Sequence, residues 1–341
     1  MPYRNRYVIG FLVALMCFMS LPAMAAKVPT IKMGDFSWDS VQLHNRIAGF
    51  VLEHALGVKV EYEFAETMPI LMGMSRGDID ATTEIWSDNI KESWEKLLKQ
   101  GKVLDLGTTY PDAVQGWYVP TYVVEGDPER GIEPMAPDLK TVEDLKKYKD
   151  LFAPKAGGDK GKGRFYNGPT GWVTYTVNTV KLGAYGLDEY YENFSAGSSA
   201  ALATAVFSAY EKGEPIFAYY WEPTPLMGML DMTMLEEPAY EHSEWDEKTY
   251  GCAFPPSKVH IGVSTALVEK SPHAVTILAN YESTLGQTNA ALAYVEENDT
   301  SIEKGAIWFL KNYPDQWKSW FPIANDSRIE KVEAALKKEK L

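Results

Sequence analysis

The sequence predicts a two-lobed α/β protein whose chain crosses twice between the lobes. Three observations carry this. Strand-like and helix-like segments alternate from residue 30 to 106, the βαβα rhythm of a largely parallel sheet covered by helices. Two β-rich stretches, 119–124 and 256–261, bracket the middle of the chain, so that one lobe is built from both ends and the other from the middle. Finally, Ile216 to Trp221 is an apolar, aromatic run stopped by Glu222-Pro223-Thr224-Pro225. Such a run suits a strand buried on both faces, and proline ends it because it has no ladder donor. Trp221 then sits at the carboxyl end of a strand, where open α/β sheets bind their ligands.

The elements follow in order. Residues 30–33 read as a strand, and Ser40 caps a helix over 41–56 with Ile47, Val51, Leu52 and Ala55 on one face, closed by Gly57. The segment 58–64 alternates as a half-exposed strand. Pro69 opens a helix to Met74, 79–86 is a strand, and 92–99 is a helix. After the crossing at 119–124, a turn-rich stretch over 125–138 marks a boundary near Val123. The second unit then begins with a helix over 141–151, a polar glycine-rich loop over 153–163 and a strand at 165–167. Gly168-Pro169-Thr170-Gly171-Trp172 is a tight loop opening a helix to Lys181. An alanine-rich helix spans 198–210. An acidic loop over 236–258 carries Trp245, expected to be exposed, and 260–263 returns the chain as a strand. Helices over 271–287, 301–312 and 326–340 complete it, with Trp308, Trp317 and Trp320 as packing residues. The lobes are thus 26–122 with 258–341, and 123–257.

The first 25 residues have another reading. Arg4 and Arg6 precede an apolar run from Tyr7 to Pro22, and Ala23-Met24-Ala25 supplies small residues for a signal peptidase. This is the pattern of a cleaved secretory signal, too short for a comfortable membrane span. No small residues precede Cys17 as a lipid-anchored protein requires, so a soluble exported protein, a monomer in the periplasm, is expected. Loss of Arg4 and Arg6 takes the net charge from −14 to −16. That surface repels nucleic acid, whose binding rests on cationic contacts to phosphate. Only Cys252 remains after cleavage, a buried small residue, so no internal disulfide supports the fold.

The chemistry lies in tryptophan. Trp38, Trp86, Trp117 and Trp221 end strands or open loops, and Trp172 opens a helix. Any one of them alone is an ordinary packing residue. Five at loop positions of a two-lobed protein point to a box of inward-facing rings. The negative π faces of such a box hold a quaternary ammonium, which cannot donate a hydrogen bond; each contact contributes about 0.5–2 kcal/mol. Asp39 and Glu84 stand beside these rings. Catalytic signals are thin: there is no His-Glu-x-x-His, phosphate loop or G-x-G-x-x-G, and Ser264 only half-matches a nucleophile elbow. No cofactor is expected. The five histidines lack metal spacing, and Asp159, in the polar loop, is the weak candidate for a cation. The rival reading is a secreted glycoside hydrolase using Glu84 and Glu222 beside sugar-stacking tryptophans.

With Tyr219-Tyr220-Trp221-Glu222-Pro223-Thr224-Pro225, Gly77-Asp78-Ile79-Asp80 leading into Trp86, Phe36-Ser37-Trp38-Asp39, 168–172 and 250–261, the chain resembles the substrate-binding proteins of ABC importers for glycine betaine, proline betaine, choline and related osmolytes. The resemblance covers nearly the whole mature chain. It implies the two-lobed periplasmic binding protein fold of type II, an aromatic box in the cleft and delivery to a membrane permease. Trp86 and Trp221 match the shared box positions, Trp38 and Trp117 resemble those of choline-binding members, and Trp172 resembles the third tryptophan of betaine-binding members. Ala209 stands where enteric betaine-binding members have an arginine, and Ser87-Asp88-Asn89 lack a histidine. A ligand carboxylate would have to be met by backbone amides at Gly171 or Trp172, or by His260. The pattern favours choline or trimethylamine N-oxide over glycine betaine.

Overall fold

The computed structural model describes residues 28–245, 249–323 and 326–341. The expected signal over 1–25 lies outside them. β1 (Thr30–Asp35) pairs in parallel with β2 (Lys59–Phe64) and β3 (Ala81–Trp86). α1 (Asp39–Leu56) and α2 (Thr67–Arg76) make the crossovers. α1 forms because Leu43, Ile47, Val51 and Leu52 fall on one face and are fully buried. It stops at Gly57, whose φ of 67° closes the last turn on the Glu53 carbonyl. A short 3₁₀ turn (Ser87–Ile90) and α3 (Lys91–Lys99) lead into β4.

β4 (Val103–Pro120) is the long element of the sheet. From Val103 to Ala113 it pairs antiparallel with β9 (Ser257–Ser264), which in turn pairs with β3. From Val114 to Tyr118 it pairs instead with β7 (Phe217–Glu222). Beyond it β5 (Gly163–Asn167) and β6 (Tyr191–Ser195) continue in parallel, and β8 (Met232–Met234) adds to the end of β4. The order is β2-β1-β3-β9-β4-β7-β5-β6. The expected parallel pairing therefore holds within each half, while the two crossing strands run antiparallel to their neighbours.

Several boundaries differ from the sequence reading. The first crossing occurs at Ala113 and Val114, ahead of 119–124, and α4 (Thr121–Glu125) follows the strand. The β-forming residues 116–120 pair as readily inside the second half as between halves, and composition alone does not say which. The helix expected over 141–151 is a 3₁₀ turn (Val142–Lys147), capped reciprocally by Thr141 and Asp144. α5 (Val173–Ala184), α6 (Ser199–Glu211) and a short α7 (Pro225–Met229) cover the second half. The helix expected over 271–287 is broken. α8 (Thr265–Lys270) and α9 (Pro272–Ala279) precede α10 (Leu285–Glu297), because Thr284 and Gln287 form a fresh capping box. α11 (Ile302–Asn312), α12 (Pro314–Ser319) and α13 (Ser327–Leu336) close the chain over α1, with Trp317 and Trp320 buried in that core.

The acidic loop is anchored rather than loose. Trp245 is buried, against expectation, among Tyr240, Tyr250 and Phe254, and its indole N–H donates to the Asp88 carbonyl at 3.1 Å. Loop aromatics that find one another bury as a core does. Beneath them Lys181 of α5 is wholly buried, 2.5 Å from Glu237, donating to the Cys252 carbonyl and lying 4.6 Å from the Phe254 ring centre. Burial pulls its ammonium below the usual lysine range, and Glu237 opposes this. Removing one partner of a buried pair strands the other charge. Lys181→Met should therefore destabilise the protein by about 3–5 kcal/mol in thermal or urea melts. Lys181→Met combined with Glu237→Gln should recover much of that loss. A single variant that melts like the parent would mean that the pair does not hold the loop.

Candidate ligand-binding site

The site is made where strands end. Trp38 follows β1 and occupies the position just before α1. Glu84 and Trp86 are two apart on β3, so their side chains share a face. Tyr219 and Trp221 are related in the same way on β7, and Trp172 stands before the first turn of α5. These residues line a small cavity of about 50 Å³, partly open to solvent and completed by Phe36, Thr67, Ile85, Asn89, Ile90, Val173 and Thr174. Trp172 meets Trp221 edge to face at 4.9 Å and Trp38 edge to face at 5.8 Å. Phe36 stacks flat on Trp38 at 4.5 Å. The rings thus present several differently oriented faces to one small volume.

Hydrogen bonds fix those orientations. Glu84 is 1% exposed. Its Oε2 accepts from the indole N–H of Trp38 at 2.7 Å, from Ser40 Oγ at 3.2 Å and from the indole N–H of Trp86 at 3.4 Å. Its Oε1 accepts from the Tyr110 hydroxyl at 2.5 Å. Burial pushes the Glu84 carboxyl above the usual carboxylate range, and the donors from Tyr110, Trp38, Ser40 and Trp86 oppose this. Across the cleft, the Trp172 indole N–H donates to Ser37 Oγ at 2.8 Å, joining the two halves directly.

The polar inventory is short. Among the described residues the lining contains no Lys, Arg or His. Thr174 Oγ1 is buried without a hydrogen-bond partner, in the first turn of a helix that lacks a side-chain cap. Free N–H groups at a helix start favour an acceptor atom. The cavity therefore joins an aromatic, anion-backed region to a small donor region.

The structure brings together Trp38, Trp86, Trp172, Trp221 and Glu84. It does not bring Trp117 to them. β4 runs antiparallel to β7, so Trp117 stands opposite Tyr219 and one step deeper than Trp221. It is fully buried against Phe165, Tyr185 and Phe217, with its N–H on Asn178 Oδ1 at 2.8 Å. His260 is also elsewhere, opposite Ile85 with its Nδ1 2.8 Å from Asp105. Asp39 lines an adjoining groove with Tyr220 and Glu296. Gly171 packs across the cleft, where a Cβ would come within 2.8 Å of Glu66, and does not itself line the cavity. Glu222 alternates to the other side of β7 from Trp221, so it forms no carboxylate pair with Glu84 in the cavity. Ala209 lies on α6 beside a different depression, with Lys155 and Glu214, so its lack of a cation does not bear on the cavity. Asp159 gives its backbone N–H to Glu192, and no metal-ligating group of three or more is found among the described residues. Of the lining residues not anticipated, Tyr219 was within reach of strand alternation from Trp221. Asn89 and Thr174 carried no signal.

Among known proteins, the trimethylamine N-oxide-binding protein of Pelagibacter ubique is 21% identical over 310 residues, spanning 90% of this chain and 96% of that protein. The glycine betaine/proline betaine-binding periplasmic protein of Escherichia coli is 25% identical over 266 residues, 72% of this chain and 75% of that one. Among solved structures, a glycine betaine, L-proline-binding protein of Borrelia burgdorferi superposes with a TM-score of 0.71 at 20% identity, covering 89% of this chain and 99% of its own. A choline-binding protein in complex with choline gives 0.71 at 20% identity, covering 90% and 98%. These likenesses show the two-domain binding-protein fold. Residues 29–312 match the model of the substrate-binding domain of ABC-type glycine betaine transport systems, and the chain belongs to that family.

Proposed function

We propose that this protein captures a small trimethylammonium-type osmolyte between its two lobes, which meet at the Ala113–Val114 crossing of β4, and passes it unchanged to an ABC permease. We place it in the periplasm as a soluble monomer. No helix of the described residues is long and apolar enough to cross a membrane. The observation that carries the reading is the set of four tryptophans around one cavity, two of them hydrogen-bonded to a buried glutamate. Ring faces attract a methylated cation, and a carboxylate behind them adds to that attraction. At the desolvated upper end of about 2 kcal/mol per ring, four rings give about 8 kcal/mol, close to micromolar binding.

Choline and trimethylamine N-oxide fit better than glycine betaine, since among the described residues no cationic side chain lines the cavity for a carboxylate. The oxygen-bearing end of such a ligand would meet Thr174 and the N–H groups that open α5. Support also comes from the Pelagibacter relative, which spans almost the whole of both chains. Hydrolysis of a glycoside gains no support, because Glu84 is turned to four donors and Glu222 is outside the cavity.

Titration calorimetry with choline, trimethylamine N-oxide and glycine betaine should show binding of at least one of the first two without turnover. If none binds while a sugar or amino acid does, the reading is wrong. Trp86→Ala and Trp221→Ala should each cost about 2 kcal/mol, near thirtyfold in affinity, with Phe substitutions costing less. Unchanged affinity in both would remove these rings from the site.

The charge of Glu84 gives a pH signature. Its carboxyl sits above the usual carboxylate range in the free protein. A bound cation favours the ionised form, so binding releases a proton from the protonated fraction. Choline affinity should then be highest above the raised Glu84 carboxyl range and fall as pH drops through it, a loss that sets in above the ordinary carboxylate range of about 4. Glu84→Gln should bind more weakly at neutral pH and lose that dependence. A Gln variant with the parent's pH profile would show that another group is responsible.

A further inference from the structure

Gln115 stands where the sheet changes partners. It follows the Ala113–Val114 switch in β4 and lies opposite Trp221 in the β4–β7 ladder. Its side chain is buried and forms four hydrogen bonds. Oε1 accepts from the Tyr219 hydroxyl at 3.0 Å and from Asn89 Nδ2 at 3.4 Å. Nε2 donates to Ser257 Oγ at 3.0 Å and to Asn89 Oδ1 at 3.2 Å. A side-chain amide has two donor hydrogens and two acceptor lone pairs, so its capacity is filled.

The partners are what matter. Asn89 lines the cavity from the turn after Trp86, in the half of the sheet that holds β1 to β3. Tyr219 lines it from β7, in the other half. Ser257 is the first residue of β9, the second crossing strand. One buried amide therefore touches cavity residues of both halves and belongs to one crossing strand while bonding the other.

We propose that Gln115 is a positioning residue that couples the ligand cavity to the two crossing strands, so that occupation of the box and closure of the lobes favour each other. This rests on the binding function proposed above. If the halves separate, Asn89 moves with one and Tyr219 with the other, and Gln115 cannot keep both. A buried amide that loses partners is costly unless water replaces them. The network is complete only in the closed arrangement, where it holds Asn89 and Tyr219 against the ligand. It resists opening and slows ligand escape.

The test measures affinity by calorimetry and dissociation by stopped-flow tryptophan fluorescence, with choline chloride and trimethylamine N-oxide as probes. The proteins are the parent, Gln115→Leu, Asn89→Ala and the double variant. Gln115→Leu should weaken binding about tenfold, chiefly through faster dissociation. The double variant should be no weaker than the weaker single, because both break one network. Gln115→Glu, which keeps the acceptor for Tyr219, should restore part of the loss. A Gln115→Leu protein with lower melting temperature but parental affinity and dissociation rate would overturn the proposal, as would additive single effects. Should Gln115→Leu not fold, Gln115→Glu and Tyr219→Phe carry the comparison, and parental dissociation rates in both would overturn it. A parent that binds neither probe overturns the functional reading and this inference with it, whereas a binding parent indifferent to Gln115 overturns this inference alone.

Discussion

The hydrogen bonds from Trp38 and Trp86 to Glu84 are the constraint on which the site depends. An indole ring is large, apolar and free to turn about two torsions, and a cavity of unanchored rings would collapse on itself. Here the N–H groups of Trp38, Trp86 and Trp172 have fixed acceptors, so their faces are turned to the open volume. For Trp38 and Trp86 the acceptor is a buried carboxyl on β3, two residues from one of the rings it holds. Burying that carboxylate is unfavourable in itself, and four donors offset the cost. The same group that orients the rings thus also supplies negative potential behind them.

The sheet explains why such a box can be assembled from distant parts of the chain. β3 and the turn after it bring Glu84, Trp86 and Asn89, and the start of α1 brings Trp38. β7 and the start of α5 bring Tyr219, Trp221 and Trp172. Among the described residues, β4 and β9 form the switch between these two groups. The Trp172–Ser37 bond and the Trp38–Trp172 contact join the groups across the cleft, so the enclosure exists only when both halves meet.

Much of this was legible in the sequence. Hydrophobic periodicity and the glycine after Leu56 fixed α1, and the Pro-x-Pro stop placed Trp221 at a strand end. Strand ends and loop starts pointed to Trp38, Trp86 and Trp172 because local sequence decides them. Trp117 failed for the complementary reason. Its depth depends on its register with β7, a non-local choice that sets it opposite Tyr219, below Trp221, where it packs on Phe217 in the core. Trp245 failed likewise, since an aperiodic acidic loop gives no hint that its aromatics pack on Lys181 and Phe254. Asn89, Gln115 and Thr174 are ordinary polar residues whose meaning appears only with their partners. The broken helix at 280–284 shows a capping signal, Thr284 with Gln287, that an unbroken apolar pattern concealed.

The most direct measurement is the indole N–H region of a ¹⁵N NMR spectrum, followed as choline is added. The sequence holds 10 tryptophans, so the region is simple enough to assign by single substitutions. The account predicts that the resonances of Trp38, Trp86, Trp172 and Trp221 shift together and saturate at one ligand per chain. Those of Trp117 and Trp317, buried in the two cores, should stay nearly still. Shifts confined to Trp117, or a saturating ligand that leaves Trp38 and Trp86 unmoved, would contradict the claim that Glu84 and its indoles form the ligand box.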